Sequence, residues 1–256
     1  MNSKVKLSKL LSVDISKSPH CLIVGQTGSG KTMFANYMIL QYVKMINEGI
    51  EGELFIADGK HADLWLVSKI ENFPKENIAT SPSQICKILR LADEKMQKRY
   101  EKYFVTIEDA GKDFKDFGLA PIVVIIDEFA GFAKRADKNL LSEAKSYLFD
   151  IIMRGRQAGV FIGALIMQRP DAELLDGAIR DQMSLRVSFS NLSSDGYRMV
   201  FGKTDVKYKS IIGKGVGYIM IDGQLNSPIY YEAPWMPENF NFLKELSKYY
   251  QYNDKK

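Results

Sequence analysis

The chain has 256 residues, 46% of them hydrophobic and 26% charged, a mixture that excludes a disordered tail, a collagen-like fibre and a low-complexity linker. Thirty-five Lys and Arg against 31 Asp and Glu leave a net charge of only +4, which permits a nucleic-acid partner without demanding one. Cys21 and Cys86 cannot make a disulfide framework and no Cys/His spacing suggests zinc, so the expected setting is a reducing cytoplasm.

The basic N-terminus lacks the continuous apolar stretch of a signal peptide. Residues 21–24 form an apolar run that ends in glycines and predict a buried strand. Residues 32–46 follow with Met33, Tyr37, Leu40 and Val43 at helical spacing. A second strand is expected at 53–57. The pattern over 81–103 predicts a helix capped by Ser81, with Pro82 in its first turn and Gln84 completing a capping box. Its inner stripe is Ile85, Ile88, Leu89, Ala92, Met96 and Tyr103. Residues 105–119 read as a polar surface connection.

The uninterrupted apolar run at 122–126 predicts a strand buried on both faces. A helix is expected at 140–154, with Leu141, Ala144, Leu148 and Ile151 aligned, then buried strands at 160–166 and 184–189. Segments 217–221 and 229–232 flank Asp222-Gly223 and predict a late hairpin. Neither apolar run, 122–126 or 160–167, approaches the roughly 20 residues of a spanning helix. The alternation of strand and helix signals implies an α/β fold, a mostly parallel sheet flanked by helices.

Gly25-Gln26-Thr27-Gly28-Ser29-Gly30-Lys31-Thr32 matches G-x-x-x-x-G-K-[ST] between a strand and a helix, the order phosphate binding requires. Its glycines let backbone N–H groups point inward, and the new helix adds the positive end of its dipole. Lys31 is expected at the β- and γ-phosphates and Thr32 on Mg²⁺. The strand at 122–126 ends in Asp127-Glu128, which puts two carboxylates at the sheet edge where α/β proteins bind ligands. Asp127 is expected in the Mg²⁺ shell, and Glu128 as the base that polarises water. Gln168, ending the next buried run, is expected to sense the terminal phosphate. The guanine-reading string Asn-Lys-x-Asp is missing, since Gly202-Lys203-Thr204-Asp205 lacks its Asn, so ATP is the expected nucleotide. His61 reads as an ordinary loop residue, His20 has no partner spacing, and Met33, Met38 and Met45 read as core.

From about His20 to Phe240 the chain resembles the FtsK/SpoIIIE family of DNA-translocating ATPases. GQTGSGKT is similar to its phosphate loop, and Ala57-Asp58-Gly59-Lys60 to an Asp-Pro-Lys segment with Gly59 in place of proline. Met96-Gln97-Lys98-Arg99-Tyr100 resembles its Met-x-x-Arg-Tyr helix, and IIDEFAGF its Asp-Glu-Phe-Ala motif. Arg154-Gly155-Arg156-Gln157-Ala158-Gly159-Val160, Gln168-Arg169-Pro170 and Ile212-Gly213-Lys214-Gly215 follow in the family's order.

The resemblance implies a RecA-like P-loop NTPase motor core that assembles as a ring, usually hexameric, around double-stranded DNA. A neighbouring subunit would supply an arginine. Arg156 is the first candidate, with Arg154, Arg186 and Arg198 open. Lys134, Arg135 and Lys138, on what reads as a short polar segment, are candidate phosphate contacts to DNA. Tyr249, Tyr250 and Tyr252 could stack on bases but are expected to pack against a terminal helix or partner.

The expected division is a basic segment over 1–19, the motor domain over 20–240 and a tail over 241–256. No counterpart of the family's membrane helices or C-terminal winged helix is expected in this sequence. That favours transfer of a plasmid or mobile element, with a separate membrane or relaxase partner. The alternatives are an ATP-binding assembly module that does not translocate and a viral genome-packaging ATPase.

Overall fold

The computed structural model describes residues 3–237 and 239–251. The chain opens with a hairpin of β1 (Lys4–Lys6) and β2 (Ser12–Asp14), paired with Val5 opposite Val13. Successive side chains of a strand face opposite ways, so Lys4 and Lys6 point outward while Val5 and Val13, joined by Leu7 and Ile15, enter the main core. The lead segment set apart in the sequence reading therefore packs as part of the core over its described residues.

Then follow β3 (Cys21–Gly25), α1 (Lys31–Ile46), β4 (Glu53–Asp58), β5 (Ile78–Ala79) and α2 (Pro82–Tyr103). The second half runs β6 (Ile122–Asp127), α3 (Phe129–Arg135), α4 (Lys138–Ala158), β7 (Val160–Met167), α5 (Gly177–Asp181), β8 (Leu185–Phe189), α6 (Ser194–Phe201), β9 (Val216–Ile221), β10 (Ile229–Glu232) and α7 (Phe242–Ser247). The main sheet has the order β10-β9-β8-β3-β7-β6-β4-β5. Strands β8 through β5 in that order are parallel, and β9 and β10 add an antiparallel edge.

Helices cover both faces, which is why the central strands read as unbroken apolar runs. In β6, Val123 and Ile125 join the core with α1, the N-terminal hairpin and α7, while Ile122, Val124 and Ile126 join the core beneath α2 and α4. The cap on α2 forms as expected: Ser81 accepts from the Gln84 N–H and the Gln84 side chain returns to Ser81.

Three expectations fail locally. Met33 is 41% exposed, because the inward face of α1 is set by Phe34, Met38 and Val43 instead. Residues 105–119 are not simply surface, since Phe114 and Leu119 are fully buried and Phe114 packs edge-on against Phe161. The segment carrying Lys134, Arg135 and Lys138 is helical, divided between the end of α3 and the start of α4. Tyr250 packs against Phe73 with ring centroids 4.9 Å apart. Tyr252 lies outside the described residues.

Arg99, on the buried side of α2, is 2% exposed. Its guanidinium donates to the carbonyls of Ala158 (2.7 Å), Glu51 (2.6 Å) and Ala120 (2.8 Å). These carbonyls stand just before β7, β4 and β6, so one side chain fastens the starts of three strands to α2.

Candidate functional site

The parallel register aligns the chemistry along one sheet edge. Val24 pairs with Met167, Ile126 with Leu165 and Asp58 with Asp127. Only β7 separates β3 from β6. At about 4.8 Å per strand, the phosphate loop and Asp127 leave the sheet about 10 Å apart.

The loop between β3 and α1 is held in shape from both sides. Ser190 Oγ accepts from the Gln26 N–H at 3.1 Å, and the Gly215 N–H donates to the Ser29 carbonyl at 2.8 Å. Gly30 has φ 104°, and a Cβ there would come within 2.7 Å of the Gly215 nitrogen, so this position needs glycine. The N–H groups of Thr27, Gly28 and Gly30 donate to no carbonyl among the described residues. Ser29 Oγ is buried without a partner among them. Uncommitted donors at the start of a 16-residue helix make a cradle for an anion.

Lys31 is 6% exposed, and its ammonium donates to the carbonyls of Gly25 and Gln26. Burial holds Lys31 below the usual lysine range and Lys60 adds to this, while Glu128 and Asp127 oppose it. Burial pushes the Asp127 carboxyl up to about 6; Lys60 and Lys31 resist, and Asp58 and Glu128 reinforce the rise. Lys31, Lys60, Asp127 and Glu128 thus form one charge cluster. Glu128 is 5% exposed and sits at φ 58°, a left-handed conformation rare for a residue with a Cβ. Its carboxylate pairs with Lys60 at 2.8 Å.

Asp58 and Lys60 gain roles that the sequence reading did not assign. Asp58 is fully buried and accepts from the N–H groups of Lys60 (3.1 Å), Ala62 (2.9 Å) and Trp65 (3.1 Å). Gly59 donates its N–H to the Asp127 carbonyl at 2.8 Å, a bond the family's proline could not make. The available signal was the place of Asp58 at the end of a strand, the same place Asp127 holds.

Thr32 opens α1, half-buried at the loop. Gln168 leaves β7 exposed and shares a cleft of about 360 Å³ with Gln26, Asn191 and Asp195. The other candidates do not join the site. Arg156 is exposed near the end of α4, before β7 begins, at the sheet edge opposite the loop. Arg186 is 8% exposed and paired with Asp222. Arg198 pairs with Asp195 at 3.2 Å on the surface, and Arg154 lies over the Tyr100 ring, 5.5 Å from its centroid. The Arg135 guanidinium donates to the carbonyls of Gly59 (2.6 Å) and Thr80 (3.2 Å), so it braces the site's backbone. Lys134 and Lys138 are exposed without an ion-pair partner among the described residues. His61 is exposed, as expected, and His20 is buried.

No helix among the described residues is long and apolar enough to cross a membrane, and none of their His, Cys, Asp and Glu form a group of three or more that could hold a metal.

Residues 4–111 match the model of the FtsK/SpoIIIE family. The FtsK domain-containing protein YdcQ of Bacillus subtilis is 32% identical over 245 residues, covering 96% of this chain and 49% of YdcQ. The DNA translocase FtsK of Caldanaerobacter subterraneus is 26% identical over 252 residues, covering 94% of this chain and 34% of that protein. The chain thus spans about half, or less, of the length of these relatives. Among solved structures, the pCW3 conjugation coupling protein TcpA with ATPγS superposes with TM-score 0.72 at 19% identity, over 97% of this chain and 71% of TcpA. The cytoplasmic domain of the type VII secretion ATPase EccC of Thermomonospora curvata gives 0.65 at 18% identity, over 96% of this chain and 31% of EccC. The fold is that of these P-loop ATPases, and residues 4–111, phosphate loop included, carry the domain of the FtsK/SpoIIIE family.

Proposed function

We propose that the chain is an Mg²⁺-dependent ATPase that drives double-stranded DNA through a ring of its own copies, in transfer of a plasmid or mobile element. The observation that carries this reading is the convergence of Lys31, Asp127 and Glu128 on one buried charge cluster beside a loop with uncommitted N–H donors. The FtsK relatives and the coupling-protein neighbour support the DNA-motor class.

The oxygen donors of Thr32 and Asp127 suit a hard cation that keeps most of its waters, as Mg²⁺ does, and no all-protein cage is needed. Bound there, Mg²⁺ would neutralise phosphate charge. The loop amides and Lys31 bind the phosphates. Glu128 takes a proton from the attacking water at its carboxylate. Gln168 orients that water from the next strand end. Arg156, exposed at the sheet edge opposite the loop, is the arginine we assign to a neighbouring copy's site. Lys134 and Lys138 remain the cations offered to DNA phosphates.

The test is ATP turnover by the full chain with duplex, single-stranded and no DNA, alongside Glu128→Gln. The reading expects strong duplex stimulation and a Glu128→Gln protein that binds ATP yet scarcely turns it over. Binding and hydrolysis indifferent to DNA would instead favour an assembly module that recruits transfer partners.

A further inference from the structure

Lys60 is the one cation ion-paired with Glu128 among the described residues, at 2.8 Å from Oε2. The Glu128 side chain is 7% exposed and that of Lys60 is 35% exposed. The backbone around Lys60 is fixed: its N–H is held by Asp58, and Gly59 is bonded through its N–H to Asp127 and through its carbonyl to Arg135. Only the lysine side chain has freedom to move, a flexible stem ending in a compact charge with three donors.

A carboxylate that activates water needs a lone pair directed at that water. An ammonium 2.8 Å from Oε2 holds the carboxylate by charge and not by a hydrogen bond, for Oε2 has no hydrogen-bond partner among the described residues. The same ammonium lies within electrostatic reach of Lys31 and Asp127, so it borders the place where a terminal phosphate would sit. A phosphoryl group with several anionic oxygens is a stronger partner for an ammonium than one carboxylate.

We propose that Lys60 is a switch on Glu128: it holds the carboxylate until a triphosphate fills the loop, then exchanges to the terminal phosphate and releases Glu128 toward water. This rests on the ATPase reading above. Lys60 is therefore a positioning residue for Glu128 and a sensor that separates triphosphate from diphosphate. Because Lys60 has two competing partners, removing one strengthens its hold on the other.

The test is a double-mutant cycle read by calorimetric binding, with no turnover required. Wild type, Glu128→Gln, Lys60→Met and the double variant are titrated with ADP and with an ATP analogue carrying an imido β–γ bridge. Glu128→Gln should tighten the triphosphate analogue about tenfold, within the range of coupled neighbours, and leave ADP nearly unchanged. In the Lys60→Met background that gain should vanish. Equal tightening in both backgrounds, or equal tightening of ADP, overturns the switch. Wild type that binds neither nucleotide overturns the ATPase reading and the switch together, whereas binding and hydrolysis without the coupling sink the switch alone. Melting curves establish that each variant is folded, and Lys60→Gln replaces Lys60→Met if the latter is not.

Discussion

Asp58 and Asp127 stand directly opposite each other at the ends of neighbouring parallel strands, yet they are put to different uses. Asp58 spends its oxygens on three backbone N–H groups and shapes the loop that presents Lys60. Asp127 has no such donors among the described residues, and burial pushes its carboxyl up to about 6. A cation at this edge would relieve that penalty at Asp127 and leave Asp58 untouched.

Replacing Asp58 with Ala should therefore act through structure. Three N–H groups lose a charged acceptor, and stability should fall by about 2–4 kcal/mol. Asp58→Asn, which keeps one acceptor, should lose less. Urea unfolding of both variants checks the order.

Gly59 leaves no room for a side chain. A Cβ there would lie 2.6 Å from the Glu128 carbonyl oxygen and 2.7 Å from that of Asp127. Gly59→Ala should shift the strand-end turn while sparing the core, and reduce ATP turnover by about tenfold to a hundredfold. Steady-state kinetics alongside a melting curve separates this from unfolding.

Arg99 predicts a stability effect with no site chemistry. Burial pulls its guanidinium down to about 10, but it stays charged near neutral pH and satisfies carbonyls ahead of three strands. Arg99→Met should destabilise by about 3 kcal/mol or more, because buried carbonyls lose a charged donor. Arg99→Lys should recover only part, since one ammonium cannot span the same acceptors. Chemical denaturation of both variants measures the gap.

His20 makes stability depend on pH. It is buried, its Nδ1 accepts from the Ile162 N–H at 3.1 Å, and burial pulls its pKa down to about 3. Above its ordinary value near 6.5 both folded and unfolded chains are neutral there. Below it the unfolded chain takes up a proton that the folded chain refuses. Stability should therefore fall with decreasing pH by about 1.4 kcal/mol per unit between pH 6 and 4. His20→Asn, which can keep the acceptor at a positive φ, should flatten that slope in urea titrations at several pH values.

Lys134 and Lys138 should behave differently from Arg135. Exposed lysines that meet phosphates change DNA affinity and its salt dependence together. Lys134→Ala with Lys138→Ala should weaken DNA binding and lower the salt slope by about two, with stability unchanged. Arg135→Ala should lower the melting temperature instead, because its guanidinium braces Gly59 and Thr80. DNA binding at several salt concentrations, together with melting curves, decides both.

What the sequence determined by itself was local or periodic. The phosphate loop, the capped helix at Ser81, the apolar strand ending in Asp127-Glu128 and the late hairpin each depend on residues near in the chain, so spacing was enough to read them. The tertiary structure alone decided which distant groups share a field. The parallel register put Asp58 beside Asp127, the turn after β4 delivered Lys60 to Glu128, and the packing of α2 made Arg99 a clamp on three strands. It also took Arg135 out of the free surface charges and carried Arg156 to the far edge of the sheet. Charge pairing and carbonyl capture act over a few ångströms in space between residues tens of positions apart, and no local pattern in a chain encodes that proximity.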